Sequence, residues 1–259
     1  MTTERSGKVM STFGNGERVT RRIVLCVLVS FCLASCAREG PENKCILERR
    51  EMIEKALAEV SKENLMKDVK RLEAFGTRFP YEKQIEVAEH LRDRLGQYLD
   101  DTGFHVYEHW GVDWKNVVGN IPGAYDPEKV VILSAHLDST SAKRLRYAPG
   151  ANDNASGCAA LLEAARILSK HRFEKSVRFL IFAEEETRQN GSRAYVEGIE
   201  GSGEEIIGAI NMDMIAYGGS DKALDLVTRP KHRWLVDYVD GVARAFGNPT
   251  RKVVRKACY

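Results

Sequence analysis

Apolar residues recur at helical spacing over residues 46–75 (Ile46, Leu47, Met52, Ile53, Leu57, Val60, Leu65, Val69, Leu72), which predicts one or two amphipathic helices. A turn at Phe75-Gly76-Thr77-Arg78-Phe79-Pro80 separates them from a further helix over about 83–100, carrying Ile85, Val87, Ala88, Leu91, Leu95 and Leu99. The period then shortens. Strands are expected at Phe104–Tyr107, Val117–Ile121 and Val130–Ser134, a helix at about 155–170, and a strand at Val177–Phe182. A helix near Arg193–Gly198, a strand at Ile206–Met212 and a last helix at about 232–246 complete the series. Short, nearly all-apolar strands alternating with helices belong to the α/β class: a mixed, largely buried β-sheet with helices on both faces. No internal repeat, low-complexity segment or second domain boundary stands out.

The 259 residues suit one large domain or at most two small ones, and 43% hydrophobic with 29% charged residues is ordinary for a globular chain. That composition excludes collagen-like, coiled-coil and wholly disordered proteins. The net charge is +2, and the five basic and two acidic residues of 1–35 account for the excess; without them it is −1. A nucleic-acid partner, which normally requires a basic surplus, is not expected.

Arg21 and Arg22 precede an apolar run from Ile23 to Leu33, and Leu33-Ala34-Ser35-Cys36 closes it with small residues. This describes a secretory signal peptide; the run is shorter than the ~20 residues of a membrane-crossing helix. The last four residues also resemble a bacterial lipobox, in which Cys36 is lipidated and becomes the new N-terminus. An ordinary signal peptide, or a short membrane anchor containing a cysteine, is the alternative. The expected organisation is a leader over 1–35, the lipidated cysteine and a tether over 36–45, and one domain over 46–259. Such a protein is exported to the cell envelope and held to a membrane through Cys36, on the periplasmic or the extracellular face. Cys45, Cys158 and Cys258 remain in the mature chain. They form no disulfide framework, leave room for one pair, and include no C-x-x-C zinc motif.

Four polar clusters fall where buried strands end or a helix begins: Ser134-Ala135-His136-Leu137-Asp138, Gly150–Gly157 with Asp153-Asn154, Glu184-Glu185-Glu186, and Asn211-Met212-Asp213-Met214. Each has a plain explanation alone: a helix N-cap, a solvated acidic loop, a structural histidine. Together they place carboxylates around one crevice, where they repel one another unless a cation neutralises them. One histidine among carboxylates is a suitable donor set for zinc. Asp138, two residues beyond His136, is placed to accept the other ring N–H and fix the tautomer.

The stretches SAHLDS (134–139), PGANDNASG (149–157), VRFLIFAEEETRQNGSRAYV (177–196) and NMDMIAY (211–217) resemble the co-catalytic di-zinc exopeptidases. That family includes bacterial leucyl aminopeptidases, the glutamate carboxypeptidase II type and glutaminyl cyclases. RLEAFGTRFP (71–80) and NVVGNIPG (116–123) resemble family segments as well. The resemblance implies a zinc exopeptidase-like fold, with His136 on one zinc and Asp213 completing that ion's carboxylate set. Asp153 would bridge two ions beside a cis Asp153–Asn154 peptide, and Glu186 would bind the second zinc. Glu185 would be the general base, passing a proton from the attacking water to the leaving amine. Counting from Gly191-Ser192 and from Val177 puts the family's Glu-Glu pair at Glu185-Glu186; Glu184 as base with Glu185 as ligand is the other register. Thr187-Arg188-Gln189-Asn190 replaces the family's more usual Gly-Leu-rich loop.

The family's second zinc takes a late histidine, usually in a Ser-Asp-His motif that this sequence lacks. His232, in Arg229-Pro230-Lys231-His232-Arg233, reads as a solvated helix start. The expectation is a domain truncated just before that histidine and poorly active as it stands. The implied function is a zinc aminopeptidase, with two ions in the complete protein, hydrolysing N-terminal residues of peptides by metal-activated water. Alternatives are a single-zinc glutaminyl cyclase-type acyltransferase and a non-catalytic peptidase-like binding domain; His136 and the short Glu186-to-Gly191 loop favour the peptidase.

Overall fold

The computed structural model describes residues 50–216, 224–248 and 250–255. The leader, Cys36, the tether, Cys45 and Cys258 lie outside the described residues. Helices α1 (Arg50–Ala58) and α2 (Lys62–Glu73) share the first apolar stripe. They are split at Ser61, whose hydroxyl accepts the Asn64 N–H at 3.2 Å and caps α2. Helix α3 (Tyr81–Leu95) starts after Pro80. Strands β1 (Asp101–His109) and β2 (Val112–Ile121) form a hairpin whose two turn residues, Trp110 and Gly111, have φ of 57° and 73°, the twist that suits a tight hairpin. Then come β3 (Asp126–His136), α4 (Ser156–Leu168), β4 (Lys175–Phe182), α5 (Asn190–Ile199) and β5 (Glu205–Asn211).

Strands β1–β5 form one mixed sheet in the order β1-β2-β4-β3-β5. Strands β4 and β5 run parallel to β3, while β1 and β2 are antiparallel additions. Alternate residues of the central strands feed two cores. Val131, Leu133, Ala135, Val177, Phe179 and Ile181 pack on the face covered by α2, α3 and α4. Val130, Ile132 and Leu180 pack on the other, beneath Tyr195 and Ile199 of α5. Burial on both faces explains why β3 and β4 read as nearly continuous apolar runs. The strands outrun those runs because backbone pairing continues through polar residues, as from Asp101 to Gly103 and from Val112 to Asn116.

Two strands had no predicted counterpart. β6 (Leu224–Thr228) and β7 (Thr250–Val254) form a separate two-stranded parallel sheet joined through a 3₁₀ turn (Pro230–His232) and α6 (Arg233–Ala245). Each is five residues long and carries charge at Asp225, Arg251 or Lys252, too weak a pattern to stand out. Val239, Val242 and Ala243 of α6 join the core under the main sheet, so this segment shares one hydrophobic interior with the rest. Among the described residues no helix is long and apolar enough to cross a membrane.

Candidate metal centre

The registers of β3, β4 and β5 bring their carboxyl ends to one level: His136 pairs with Phe182, and Ser134 with Asn211. The residues that follow each strand therefore share the crevice where open α/β sheets bind ligands. His136 closes β3, Asp138 follows it, Glu184–Glu186 follow β4, and Asp213 follows β5. Asp153 comes from the Ala151–Ala155 turn that leads into α4. One donor atom each from His136, Asp153 and Asp213 lies within 4.8 Å of the others. His136 Nε2 is 3.2 Å from Asp153 Oδ1 and 3.6 Å from Asp213 Oδ1, and Nδ1 is 3.4 Å from Asp138 Oδ1.

The electrostatics call for a cation. Both ring nitrogens of His136 are buried without a well-formed hydrogen bond, as is Glu186 Oε1. Burial opposes charge on His136, yet Asp138, Asp153 and Asp213 outweigh it and hold the imidazolium well above its ordinary pKa. Burial, then the charge of Asp153, pushes the Glu186 carboxyl up to about 7. Burial likewise raises Glu185, against the pull of His136. An orphaned imidazole among carboxylates that repel one another is the donor set zinc accepts, so the residues present fit the metal. Glu186 stands beside the three-residue group through its coupling to Asp153 rather than within it.

Backbone contacts hold these groups in place. Asp138 accepts the N–H groups of Glu185 and Glu186 at 3.1 and 3.0 Å, so one carboxylate both faces His136 and fixes the paired glutamates. The Asp153–Asn154 peptide is cis. Asn154 Nδ2 donates to the Met212 carbonyl at 2.9 Å, and its Oδ1 accepts the Gly157 N–H in the first turn of α4 at 3.0 Å. A Cβ at Gly157 would lie 2.3 Å from the Met212 oxygen, so the first turn of α4, which follows Asp153, packs closely on the segment bearing Asp213.

The three consecutive glutamates have separate fates. Glu184, at φ 53°, is buried and turned to the β1–β2 hairpin, where Tyr107 Oη donates to its carboxylate at 3.1 Å and His109 Nδ1 lies 2.9 Å from both oxygens. Its own N–H donates to Gln84 Oε1 at 3.0 Å. Glu185 and Glu186 are the pair whose carboxylates feel His136 and Asp138. Arg188 and Gln189 take left-handed φ values of 79° and 62° in the loop that follows. His232 is exposed in its 3₁₀ turn. Cys158 is free and buried against the His136 carbonyl at 3.1 Å; burial raises its thiol to about 11. Sequence reasoning did not single out Tyr107, His109, Gln84 or Asn116. Only Asn116, which opens the NVVGNIPG stretch, carried any signal.

Residues 116–257 match the family model described as peptidase family M28. A probable leucine aminopeptidase of Trichophyton verrucosum is 30% identical over 197 residues, covering 71% of this chain and 52% of that protein. The LapA aminopeptidase of Legionella pneumophila shares the fold with a TM-score of 0.67 at 19% identity, covering 78% of this chain and 57% of that one. A glutaminyl cyclase of Bacteroides thetaiotaomicron does so with a TM-score of 0.56 at 19% identity, covering 75% and 77%. The chain spans about half the length of the curated relatives it matches. A family match over more than half of the residues, on a sheet whose strand ends gather a histidine and its carboxylates, places this chain in peptidase family M28.

Proposed function

We propose that the protein is a zinc-dependent aminopeptidase that removes N-terminal residues from peptides. The observation that carries this reading is the convergence of His136 and Asp213, at the ends of parallel strands, with Asp153 from the turn before α4, the imidazole being buried and unsatisfied. His136, Asp153, Asp213 and Glu186 would hold the metal, with two ions in the whole protein. Zinc, when bound, polarises a carbonyl and makes water acidic enough to attack near neutral pH. Glu185, half-buried beside the cluster, takes the proton from the attacking water and delivers it to the leaving amine. Asp138 orients His136 and fixes the backbone under both glutamates. The basic-apolar leader and Leu33-Ala34-Ser35-Cys36 support a location in the bacterial cell envelope, with the protein tethered through a lipid on Cys36.

Glu185→Gln tests the assignment. Hydrolysis of aminoacyl p-nitroanilides should fall by about 10²–10⁴-fold, while zinc per chain, measured by elemental analysis after dialysis, stays at the parent value. Equal activity would remove Glu185 from its role. Ammonia release from N-terminal glutaminyl peptides would point instead to the cyclase chemistry, and zinc uptake without either activity to a binding domain.

A further inference from the structure

The Gly76-Thr77-Arg78-Phe79 turn belongs to none of the four acidic clusters, yet it holds a fully buried guanidinium directly behind them. Arg78 is 1% exposed. Its Nε donates to the Leu137 carbonyl at 2.7 Å, Nη1 to the Pro149 and Leu72 carbonyls at 2.6 and 3.2 Å, and Nη2 to the Gly150 carbonyl at 3.0 Å. Its backbone N–H donates to Ser139 Oγ at 3.1 Å, and that hydroxyl donates to the Ala148 carbonyl at 2.6 Å. Every hydrogen-bond acceptor of the guanidinium is a main-chain oxygen, so the arginine acts as a splice between chain segments.

The spliced segments carry the metal centre. Leu137 stands between His136 and Asp138, and Gly150 begins the turn that delivers Asp153. Gly150 has φ 53°, and a Cβ there would sit 2.3 Å from the Asp153 carbonyl oxygen and 2.7 Å from Arg78 Nη2. The turn is thus packed directly on the guanidinium. Burying a full charge is costly without compensation. Here the four carbonyls supply hydrogen bonds, and Asp138 and Asp153 supply a favourable field. Lysine cannot replace the splice, because its donors radiate from one nitrogen while the guanidinium fork spreads them over a plane.

We propose that Arg78 is a positioning residue for the metal centre, setting the distance between the His136–Asp138 segment and Asp153. The proposal rests on the reading of His136, Asp153 and Asp213 as metal ligands. The test compares the chelator-stripped parent with Arg78→Gly, Arg78→Lys and Ser139→Ala. Zinc Kd is read by competition with a chromophoric chelator and Tm by calorimetry, with and without millimolar guanidinium chloride. Zinc affinity should fall about 10–100-fold in Arg78→Gly, the range for groups that orient metal ligands. Guanidinium should restore it, equimolar sodium chloride should not, and Arg78→Lys should remain weak. Ser139→Ala, which removes the side-chain support of the same turn but leaves the guanidinium in place, should lower Tm and weaken zinc by less than Arg78→Gly does. Parent-like Kd in Arg78→Gly, or in Arg78→Lys if the glycine variant does not fold, overturns the proposal alone. A parent chain that takes up no zinc, or a His136→Ala chain that binds it as tightly as the parent, overturns the metal reading and the proposal with it.

Discussion

Asn116 shows how much can hang on one side chain whose partners no local motif names. It is fully buried in β2; Oδ1 accepts the Ala183 N–H at 2.9 Å and Nδ2 donates to the Gly191 carbonyl at 2.8 Å. The amide therefore bridges both ends of the segment that carries Glu184, Glu185 and Glu186. Asn116→Ala strands a buried N–H and a buried carbonyl, at a cost of about 3 kcal/mol. Thermal denaturation should show a Tm roughly 6–12 °C lower; an unchanged Tm would mean that water or relaxation satisfies both groups. Residue identity alone was equally silent about Glu184. In sequence it is one of three like glutamates; in the fold it pairs with Tyr107 and His109, because φ 53° turns it away from its neighbours.

At the scale of elements, β4 is the middle strand of the sheet, paired with β2 and β3. Arg178 reaches Glu204 through both Nη atoms at 2.6 and 2.7 Å, Asn120 of β2 through Nε at 2.7 Å, and Tyr195 of α5 at 2.8 Å. The hydrogen bond from Arg178 holds the Glu204 carboxyl below its usual pKa of 4.5. A carboxyl depressed on folding adds stability above its unfolded pKa and loses it as the pH falls through the folded one. Glu204→Gln should therefore lower stability by about 1 kcal/mol near pH 7, or roughly 2–4 °C in Tm. The gap from the parent should close as the pH drops below 4.5, and a gap that persists in acid would rule out the ion pair as its source. The helices and central strands were legible because burial on one stripe or on two faces writes itself into apolar spacing. Strands β6 and β7 were not, since they are short and charged and their stability comes from pairing with each other across the helix α6 that separates them in sequence.

At the scale of the molecule, a site that sets Asp138, Asp153 and Asp213 against His136, with Glu185 and Glu186 beside them, stores repulsion that a bound zinc would relieve. With free zinc at about 1,000 times its Kd, binding adds about 4 kcal/mol to the folded state, so chelation should lower Tm by roughly 8–16 °C and added zinc should restore it. Calorimetry with and without EDTA measures this, and an indifferent Tm would argue against a metal in this crevice. The sequence by itself determined the α/β class, the order of the helices and of the main-sheet strands, and the four clusters that flank strand ends or a helix start, because apolar periodicity and short motifs are local properties of the chain. Only the tertiary structure decided which of those groups meet. The parallel register of β3, β4 and β5 aligns the segments after them, and Arg78, Asn116 and Asp138 lock loops together across some 45 to 75 positions of sequence. No local pattern encodes a contact between residues so far apart; it exists once the sheet has closed and the cores on its two faces have packed.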